Sequence, residues 1–379
     1  MTNPNAKLRV LAFYLPQYHP IPENDEWWGK GFTEWTNVAK SQPLFRGHYQ
    51  PKVPTELGFY DLRMSEVREE QARLAFESGI EGFVYWHYWF GNGKRLLERP
   101  FNEVLSSGKP DYPFCLAWAN ISWVNATWQK GLSKKDGQRV IAEQLYPGEK
   151  DYQNHFYSML PAFKDKRYIK VDGCPIFFIY VPEDSAIREF ITTWRLLAKK
   201  EGLKNFHFVA IARMGSLREK VIPQKKIDEL LAMGFDAVNT WTYTRAEIEA
   251  NKYKKYIHTI LGKVFHINVV SKIKQSIINK HLYLKEDKGE NVYPLLFPNW
   301  DCAPRKGKNC TIYTESTPKV FAEQIKKVKE LLAGKLPEHR IAILKSWNEW
   351  GEGNYVEPDI KYGRGYLDVL RKELIGNIE

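Results

Sequence analysis

The chain has 379 residues, of which 43% are hydrophobic and 27% are charged, a balance that excludes a disordered protein and is typical of a folded globular one. Its net charge of +11 would suit an anionic polymer or an anionic membrane surface, but no recognition module or arginine-rich stripe points to nucleic acid. Its four cysteines form no C-x-x-C pair and have no metal-like spacing.

The start of the chain, residues 1–10, lacks the apolar core of a signal peptide, and no apolar run reaches the length of a membrane span. We therefore expect a cytoplasmic protein, although a chain trimmed of a secretory signal would look the same. Aromatic residues make up 14% of the chain, including 13 tryptophans. A core alone seldom needs so many tryptophans, so we expect some of them to line a cleft.

Short apolar runs alternate with longer amphipathic stretches along the sequence. Helical periodicity between the runs is clearest at 65–79, 187–202 and 318–334, each of which ends in glycine. Continuous apolar strands joined by helices indicate a parallel sheet that is buried on both faces. The runs predicted as strands are 9–14, 81–86, 114–119, 175–180, 206–212, 235–241, 292–297 and 340–347.

Eight such units predict an α/β fold, a single (β/α)8 TIM barrel that occupies residues 1–379 as one catalytic domain. A doubly wound open sheet is the alternative, but no G-x-G-x-x-G motif follows the first strand. Residues 15–64 form a long first loop between strand and helix. A basic helical insertion at about 245–288 is either a solvated outer helix or an amphipathic surface that contacts an anionic membrane.

The active site of such a barrel lies at the carboxyl ends of its strands. Nearly every predicted strand end supplies an aromatic ring together with an amide, imidazole or carboxylate, and this combination suits carbohydrate binding. Each ring alone is more commonly a core residue, but together they favour a site. The candidate substrate-binding residues at these ends are Tyr14, Tyr85, Trp86, His87, Trp118, Asn120, Trp241, Tyr243, Asn299, Trp300, Asp301, Trp347, Asn348 and Trp350.

Two glutamates, Glu349 and Glu352, follow the eighth run among tryptophans and glycines. Cleavage of a glycosidic bond needs two carboxyl groups, one that protonates the departing oxygen and one that acts as base or nucleophile. Burial against tryptophan would raise the pKa of one carboxyl, and a second carboxylate nearby would separate the two pKa values. Glu349 and Glu352 are therefore the predicted catalytic pair, and the alternative is an acidic loop solvated at the barrel rim.

Other chemistries have less support in the sequence. His87 could be a metal ligand, but no H-x-H or H-E-x-x-H cluster accompanies it, and no G-x-S-x-G elbow supports a Ser-His-Asp triad. We expect neither a metal nor another cofactor. Asp301 is a further acid candidate or, equally, the partner of nearby Arg305.

Several motifs together resemble a known family. N-E-W-G-E-G followed by V-E-P-D resembles the catalytic stretch of family 99 glycoside hydrolases, the endo-acting α-mannosidases and mannanases. The whole chain is still more similar to the WbsX-like group, which is often found among polysaccharide biosynthesis proteins and labelled as glycosyltransferases. The matching pieces are A-F-Y-L-P-Q-Y-H-P (12–20), G-F-T-E-W-T-N-V (31–38), G-F-V-Y-W-H-Y-W-F (82–90) and S-W-N-E-W-G-E-G (346–353).

This resemblance implies a barrel that acts on α-mannoside-like linkages with retention of configuration and without a metal. It also implies that Glu349 acts as base on the sugar 2-hydroxyl, which gives a 1,2-anhydro intermediate, and that Glu352 is the acid and base at the leaving oxygen. An acidic residue of the first loop would help to bind sugar, and Glu34 is the candidate, with Trp35 beside it. The hydrolases usually read E-W-H-E-G, whereas this chain has Gly351 in place of the histidine.

We therefore expect a retaining, endo-acting glycoside hydrolase whose partner is an oligosaccharide or polysaccharide. One alternative is a glycosyltransferase or transglycosidase of O-antigen or capsular polysaccharide assembly, which the basic insertion and the lack of a signal peptide would suit. Against a sugar-nucleotide donor, the sequence has no phosphate-binding loop. The other alternative is a non-catalytic barrel that binds glycan.

Overall fold

The computed structural model of the protein describes residues 8–124, 140–216, 220–251 and 270–376. Eight parallel strands form a closed barrel in which the first strand pairs with both the second and the last. This confirms the predicted (β/α)8 barrel and excludes the open sheet. The strands are β1 (Arg9–Tyr14), β2 (Gly82–Trp89), β3 (Phe114–Trp118), β4 (Cys174–Ile179), β5 (His207–Arg213), β6 (Ala237–Trp241), β7 (Val292–Leu296) and β8 (Ile341–Leu344).

Helices surround the barrel, and the three predicted from periodicity are confirmed. The last of them, Pro318–Leu332, begins at Thr317, whose side chain accepts a hydrogen bond from the Val320 amide, and it buries one apolar stripe. The helices of the described residues are Pro22–Trp28, Glu34–Lys40, Ser65–Glu77, Arg99–Ser107, Glu149–Lys164, Ala186–Lys200, Pro223–Ala232, Tyr243–Ala250, Gln275–Leu282, Ala303–Lys306, Pro318–Leu332 and Gly365–Leu374.

Successive side chains of each strand point alternately into the barrel and towards the helices. In β2, Trp86 points inward and stacks on Phe13 of β1 with ring centroids 4.6 Å apart. His87 points outward, where its Nε2 lies 2.8 Å from Nε2 of His155 on the helix Glu149–Lys164. The alternation therefore decides which strand residues reach a site inside the barrel mouth.

The predicted basic insertion at about 245–288 is described in part, since residues 252–269 lie outside the described ranges. After that gap, a short strand at Ser271–Lys274 pairs in parallel with Thr311–Thr314, and the helix Gln275–Leu282 follows. This helix buries Ile278 and Leu282 completely, so it packs on the protein. Contact with a membrane stays a prediction. No helix of the described residues has the length and apolar character needed to cross a bilayer.

Candidate active site

A pocket of about 330 Å³ opens at the carboxyl ends of the strands. Aromatic rings form much of its wall, and four charged side chains converge on it, namely Arg305, Lys345, Glu349 and Glu352. A concave, mostly apolar surface with a few converging polar groups is the usual form of a small-molecule or sugar site. The aromatic residues of the wall are Trp28, Trp86, Tyr88, Trp123, Tyr180, Trp241 and Tyr243.

A tight turn after β8 delivers both glutamates to this pocket. Asn348–Glu349 pairs in antiparallel fashion with Asn354–Tyr355, and a single 3-10 turn at Trp350–Glu352 connects the two short strands. Gly353 ends the turn with a φ of 55°, in the left-handed region that favours glycine. The turn therefore positions two carboxylates three residues apart at one edge of the pocket.

Buried aromatic and amide side chains pack against the turn and bond to it. Trp350 stacks on Tyr355 with ring centroids 3.7 Å apart, and its indole N–H donates to Glu357 at 2.6 Å. The Asn348 side chain accepts from the Leu15 amide at 2.8 Å and thereby ties the turn to the end of β1. These residues are buried and support the glutamates. The predicted ligands that the structure buries in this way are Trp35, Trp347, Asn348 and Trp350.

One guanidinium binds three carboxylates beside the pocket. Arg305 Nε lies 3.0 Å from Glu34 Oε1, its Nη1 lies 3.0 Å from Glu352 Oε1, and its Nη2 bonds to Glu349. Arg305 belongs to the short helix Ala303–Lys306 that follows β7. Arg305 is therefore the common partner of the two predicted catalytic glutamates and of the predicted sugar-binding Glu34.

A second cation, Lys345, lies directly after β8. Its Nζ is 3.0 Å from Glu352 Oε2 and 3.4 Å from Asn354 Oδ1, and the residue is only 5% exposed. Aromatic faces attract a desolvated ammonium group, so the surrounding rings stabilise it here. Four ring centroids lie within 6 Å of Nζ: Trp300 at 4.9 Å, Trp241 at 5.2 Å, and Tyr243 and Phe297 at 5.9 Å each.

These charges move the pKa values of the two glutamates apart. Burial raises the pKa of Glu349 to about 7, and the neighbouring Glu352 and Glu34 carboxylates add to this rise against the attraction of Arg305. Burial also acts against ionisation of Glu352, but Lys345 and Arg305 outweigh it and lower the pKa of Glu352 to about 2. Burial raises the pKa of Glu34 as well, with Arg305 opposing. At neutral pH one glutamate is therefore poised to exchange a proton and the other is held as an anion.

Gly351 is required by the approach of Glu34 to the turn. A Cβ at this position would lie 1.6 Å from Glu34 Oε1 and 2.9 Å from Arg305 Nε. The space beside the turn is therefore filled by the Glu34–Arg305 ion pair, and no side chain fits at residue 351 without displacing it. This gives a physical reason for glycine where the family 99 pattern has histidine.

The structure brings together some of the residues predicted from the strand ends and places others elsewhere. Trp86, Trp241, Tyr243, Glu349 and Glu352 line the pocket, and their contact with a substrate stays a prediction. The outward-pointing residues are Tyr14, whose hydroxyl donates to Gln71, and Tyr85, His87 and Trp118, whose rings contact Phe101, His155 and Phe190 respectively. Their prediction as ligands does not fit this placement, because strand alternation turns them towards the helices.

Three more predicted ligands contact the loops or a charged side chain around the pocket. Asn120 donates to the Val181 carbonyl at 2.9 Å and accepts from the Val181 amide at 2.8 Å. Asn299 accepts from the Tyr355 amide at 3.0 Å, and Trp300 contacts Lys345 as described above. Each of these contacts fixes a loop or a charged group.

Asp301 does not pair with Arg305. Its Oδ2 lies 2.9 Å from His48 Nε2, 2.7 Å from Gln50 Nε2 and 3.9 Å from Lys52 Nζ. These partners come from the long first loop, and no sequence pattern predicted that they lie beside Asp301. Asp301 lines a separate, smaller cavity of about 110 Å³, which Trp300 also lines, and it does not line the pocket that holds the two glutamates.

The candidate site residues predicted from the sequence do not include Arg305, Lys345 or the pocket rings Trp28, Tyr88, Trp123 and Tyr180. Lysine at the end of the apolar run I-A-I-L-K was an available signal, because a cation that follows a buried strand needs a partner. Tyr88 could have been found two residues after Trp86 on the same face of β2. Over the described ranges, no group of three or more His, Cys, Asp or Glu side chains has the arrangement of a metal site.

The chain is similar to known proteins over nearly all of its length. Residues 10–370 match the family described as "Glycosyltransferase WbsX". The chain is 32% identical over 373 residues to "Uncharacterized protein WxcX" of Xanthomonas campestris pv. campestris strain B100, which covers 96% of this chain and 49% of the relative. A second WxcX protein, from strain ATCC 33913 of the same organism, is also 32% identical, over 371 residues, and again 96% of this chain and 49% of the relative are covered. The chain therefore spans about half the length of the curated relatives it matches.

Two solved structures share the fold. A "Glycoside hydrolase-like protein" superimposes with a TM-score of 0.62 at 15% identity, covering 99% of this chain and 96% of that one. The GH99 endo-alpha-mannosidase from Bacteroides thetaiotaomicron in complex with bis-tris propane superimposes with a TM-score of 0.56 at 14% identity, with full coverage of both chains. At this identity the likeness concerns the barrel alone. On the match over residues 10–370, the chain belongs to the WbsX family, whose barrel resembles that of the GH99 enzymes.

Proposed function

We propose that this protein is a carbohydrate-active enzyme that cleaves α-mannoside-like linkages inside a polysaccharide, with Glu349 and Glu352 as the reacting pair and with retention of configuration. The observation that carries the proposal is the attachment of both carboxylates to terminal nitrogens of Arg305, within an aromatic pocket at the barrel mouth. A shared guanidinium holds the two carboxyl groups close together, as the retaining reaction at one linkage requires. The rings would cover the apolar faces of the sugar.

The division of pKa values supports the same reaction. One group must hold or accept a proton near neutral pH while the other remains charged, and Glu349 and Glu352 meet these two requirements. Lys345 and Arg305 neutralise much of the negative charge of the two glutamates. An uncharged sugar could therefore bind beside them without facing an unpaired anion. No step of this reaction needs a group beyond those of the chain and a water molecule.

A second candidate is transfer of the glycosyl group to another sugar hydroxyl instead of water. The description of the matched family as glycosyltransferases favours it. The same pair of glutamates would serve, because an acceptor hydroxyl can take the place of water in the second half of the reaction. The two candidates differ in whether water or a sugar hydroxyl accepts the glycosyl group. Both differ from a glycan-binding barrel, which would bind glycan without turnover.

The test is incubation of the protein with a panel of bacterial polysaccharides and α-mannans, with detection of new reducing ends and of elongated products. Glu349→Gln and Glu352→Gln should each lower the rate by at least ~100-fold, since each removes a group that transfers a proton or reacts. Glu315→Gln, which changes an exposed carboxylate outside the pocket, is the matched control and should retain full activity. Unchanged turnover in both pocket variants would refute the proposed reaction.

The pocket wall gives a second prediction. Trp86→Ala should raise KM by about tenfold, equivalent to about 1.4 kcal/mol of lost ring contact. Trp118→Phe alters a tryptophan on the outer face of the neighbouring strand and should leave KM unchanged. Steady-state kinetics on the best substrate of the panel measures both effects, and an equal change in the two variants would contradict the assignment of inner and outer faces.

A further inference from the structure

We propose that Arg213, held in place by Tyr180, binds an anionic group of the substrate, namely a carboxylate or a phosphate carried by the glycan. The residues predicted from the sequence do not include Arg213. It would determine specificity, since the reacting groups are the two glutamates of the turn. The role of this contact in the reaction rests on the proposed function, whereas binding of an anionic sugar can be measured without turnover.

Arg213 is the last residue of β5, and its side chain lies on the inner face of the barrel. It pairs in register with Trp241 of β6. Directly paired residues of neighbouring strands have their side chains on the same face of a sheet, and Trp241 lines the pocket. Tyr180, which follows β4 directly, lines the pocket as well. Arg213 therefore lies at the rim of the pocket, at the carboxyl ends of the strands.

Tyr180 fixes the position of the guanidinium. Arg213 Nη2 donates to Tyr180 Oη at 2.6 Å, and Arg213 Cζ lies 4.9 Å from the centroid of the Tyr180 ring. The Tyr180 ring packs edge to face on Trp86 and on Trp241, with centroids 5.5 Å apart in both cases. Within the described ranges the bond to Tyr180 is the only hydrogen bond of the Arg213 side chain. Its other N–H donors form a planar fork that matches the oxygens of a carboxylate or a phosphate.

Arg213 forms no salt bridge in the part of the chain that the structure describes. Glu183, the acid nearest to Tyr180 along the chain, bonds instead to Lys226 at 2.8 Å. The pocket cations Arg305 and Lys345 differ from Arg213, because both are paired with glutamates. The Arg213 side chain is also exposed, so an incoming anion can reach it. The rim of the pocket therefore carries a positive charge that is available to a ligand.

The anion at Arg213 would not be part of the linkage that reacts. Two strands, β6 and β7, separate β5 from β8, which precedes the two glutamates. The group bound by Arg213 would therefore be a substituent or a neighbouring sugar unit of the glycan. An acidic polysaccharide meets both requirements, with an uncharged ring beside the glutamates and a carboxylate or a phosphate at Arg213. The net charge of +11 would also attract such a polymer.

The test is a binding titration followed by tryptophan fluorescence, with three matched probes. They are α-mannobiose, the same disaccharide with one sugar oxidised to a uronic acid, and the same disaccharide with a phosphate monoester. At least one anionic probe should bind the wild type ~10-fold more tightly than the neutral one, because a charge-assisted hydrogen bond is added. The tighter of the two anionic probes distinguishes an acidic sugar from a phosphorylated one.

Substitutions of the proposed contact should change this preference in a graded way. In Arg213→Gln, the ratio of anionic to neutral affinity should fall about tenfold. Arg213→Lys should keep part of the preference, since lysine retains the charge without the planar fork. Tyr180→Phe keeps the ring but removes the hydroxyl that holds Arg213, and should lower the ratio by about threefold.

Two controls complete the experiment. Arg371→Gln changes an exposed arginine of the last helix, outside the pocket, and should keep the wild-type ratio. Raising NaCl from about 50 mM to about 500 mM should weaken the preference in the wild type, because salt screens an exposed charge pair. Equal affinities for the three probes, no binding of either anionic probe, or a preference retained in Arg213→Gln would overturn the inference. None of these outcomes depends on turnover, so the proposed reaction stands or falls by its own assay.

Discussion

Gly351→Ala should cost the protein about 3 kcal/mol of folding free energy and reduce its activity by at least ~100-fold. The new Cβ would stand 1.6 Å from Glu34 Oε1, so the Glu34 side chain must rotate away from the turn. That rotation breaks the 3.0 Å bond between Glu34 and Arg305 Nε. It leaves a fully buried carboxylate without its cation and frees Arg305 to shift relative to Glu349 and Glu352. Urea unfolding and the polysaccharide assay measure the two losses.

The chain offers a matched control for this substitution. A Cβ at Gly334 meets no atom within 4 Å, and its φ is not in the left-handed region, so Gly334→Ala should be close to neutral. The double variant Glu34→Ala/Gly351→Ala removes the clashing carboxylate and should recover much of the lost stability. Additive losses in the double variant would show that the two residues do not interact, and would contradict the close approach on which the prediction depends.

The barrel itself could be predicted from the sequence because its signals are local. Each buried strand is a continuous apolar run, and each helix has its own periodicity and boundary residues, as at Thr317 and Gly334. The predicted end of the last strand is the exception. The run continues to Trp347, but β8 ends at Leu344, and the next residue, Lys345, pairs with Glu352.

The site was predictable only where position along a strand decides the outcome. Both glutamates follow the end of β8 and reach the pocket, so predicting them did not require knowing which face of a strand they occupy. Rings within a strand depend on which face they occupy, and this separates Trp86 from His87 one residue later. Alternation could have been applied to the sequence, and it would also have identified Tyr88.

Arg305 could not have been placed in the same way. Arg305 meets Glu34 across 271 positions of the sequence, and the pairing depends on how the long first loop folds over the barrel. No local pattern encodes that path, and a nearby acid, Asp301, was an equally good partner on spacing alone. The pocket is assembled from separate loops, so the tertiary structure determines which cation pairs with which acid. The N-E-W-G-E-G motif determines only that the acids are present.

Glu349→Gln and Glu352→Gln should change stability in opposite directions at pH 8. The pKa of Glu349 is raised from an ordinary value of 4.5 to about 7. Between pH 4.5 and pH 7, the folded state therefore keeps a proton on Glu349 that the unfolded state has lost. The free energy of unfolding therefore falls as the pH rises from 4.5 to 7, by up to about 3 kcal/mol for this group. Gln carries no charge and removes that penalty, so Glu349→Gln should gain roughly 1–3 kcal/mol at pH 8 and much less at pH 5.

For Glu352 the sign is reversed. Its pKa is lowered to about 2, so its ionised form stabilises the folded state above pH 4.5, and this contribution is lost only as the pH falls from 4.5 towards 2. Glu352→Gln should therefore lose about 3 kcal/mol at both pH 5 and pH 8, because Lys345 is left buried without its counter-ion. Urea titrations of both variants and the wild type at the two pH values give the comparison. A loss of stability in both variants at pH 8 would mean that Glu349 is stabilised by Arg305 as an anion, and the two glutamates would then have to be treated as equally charged.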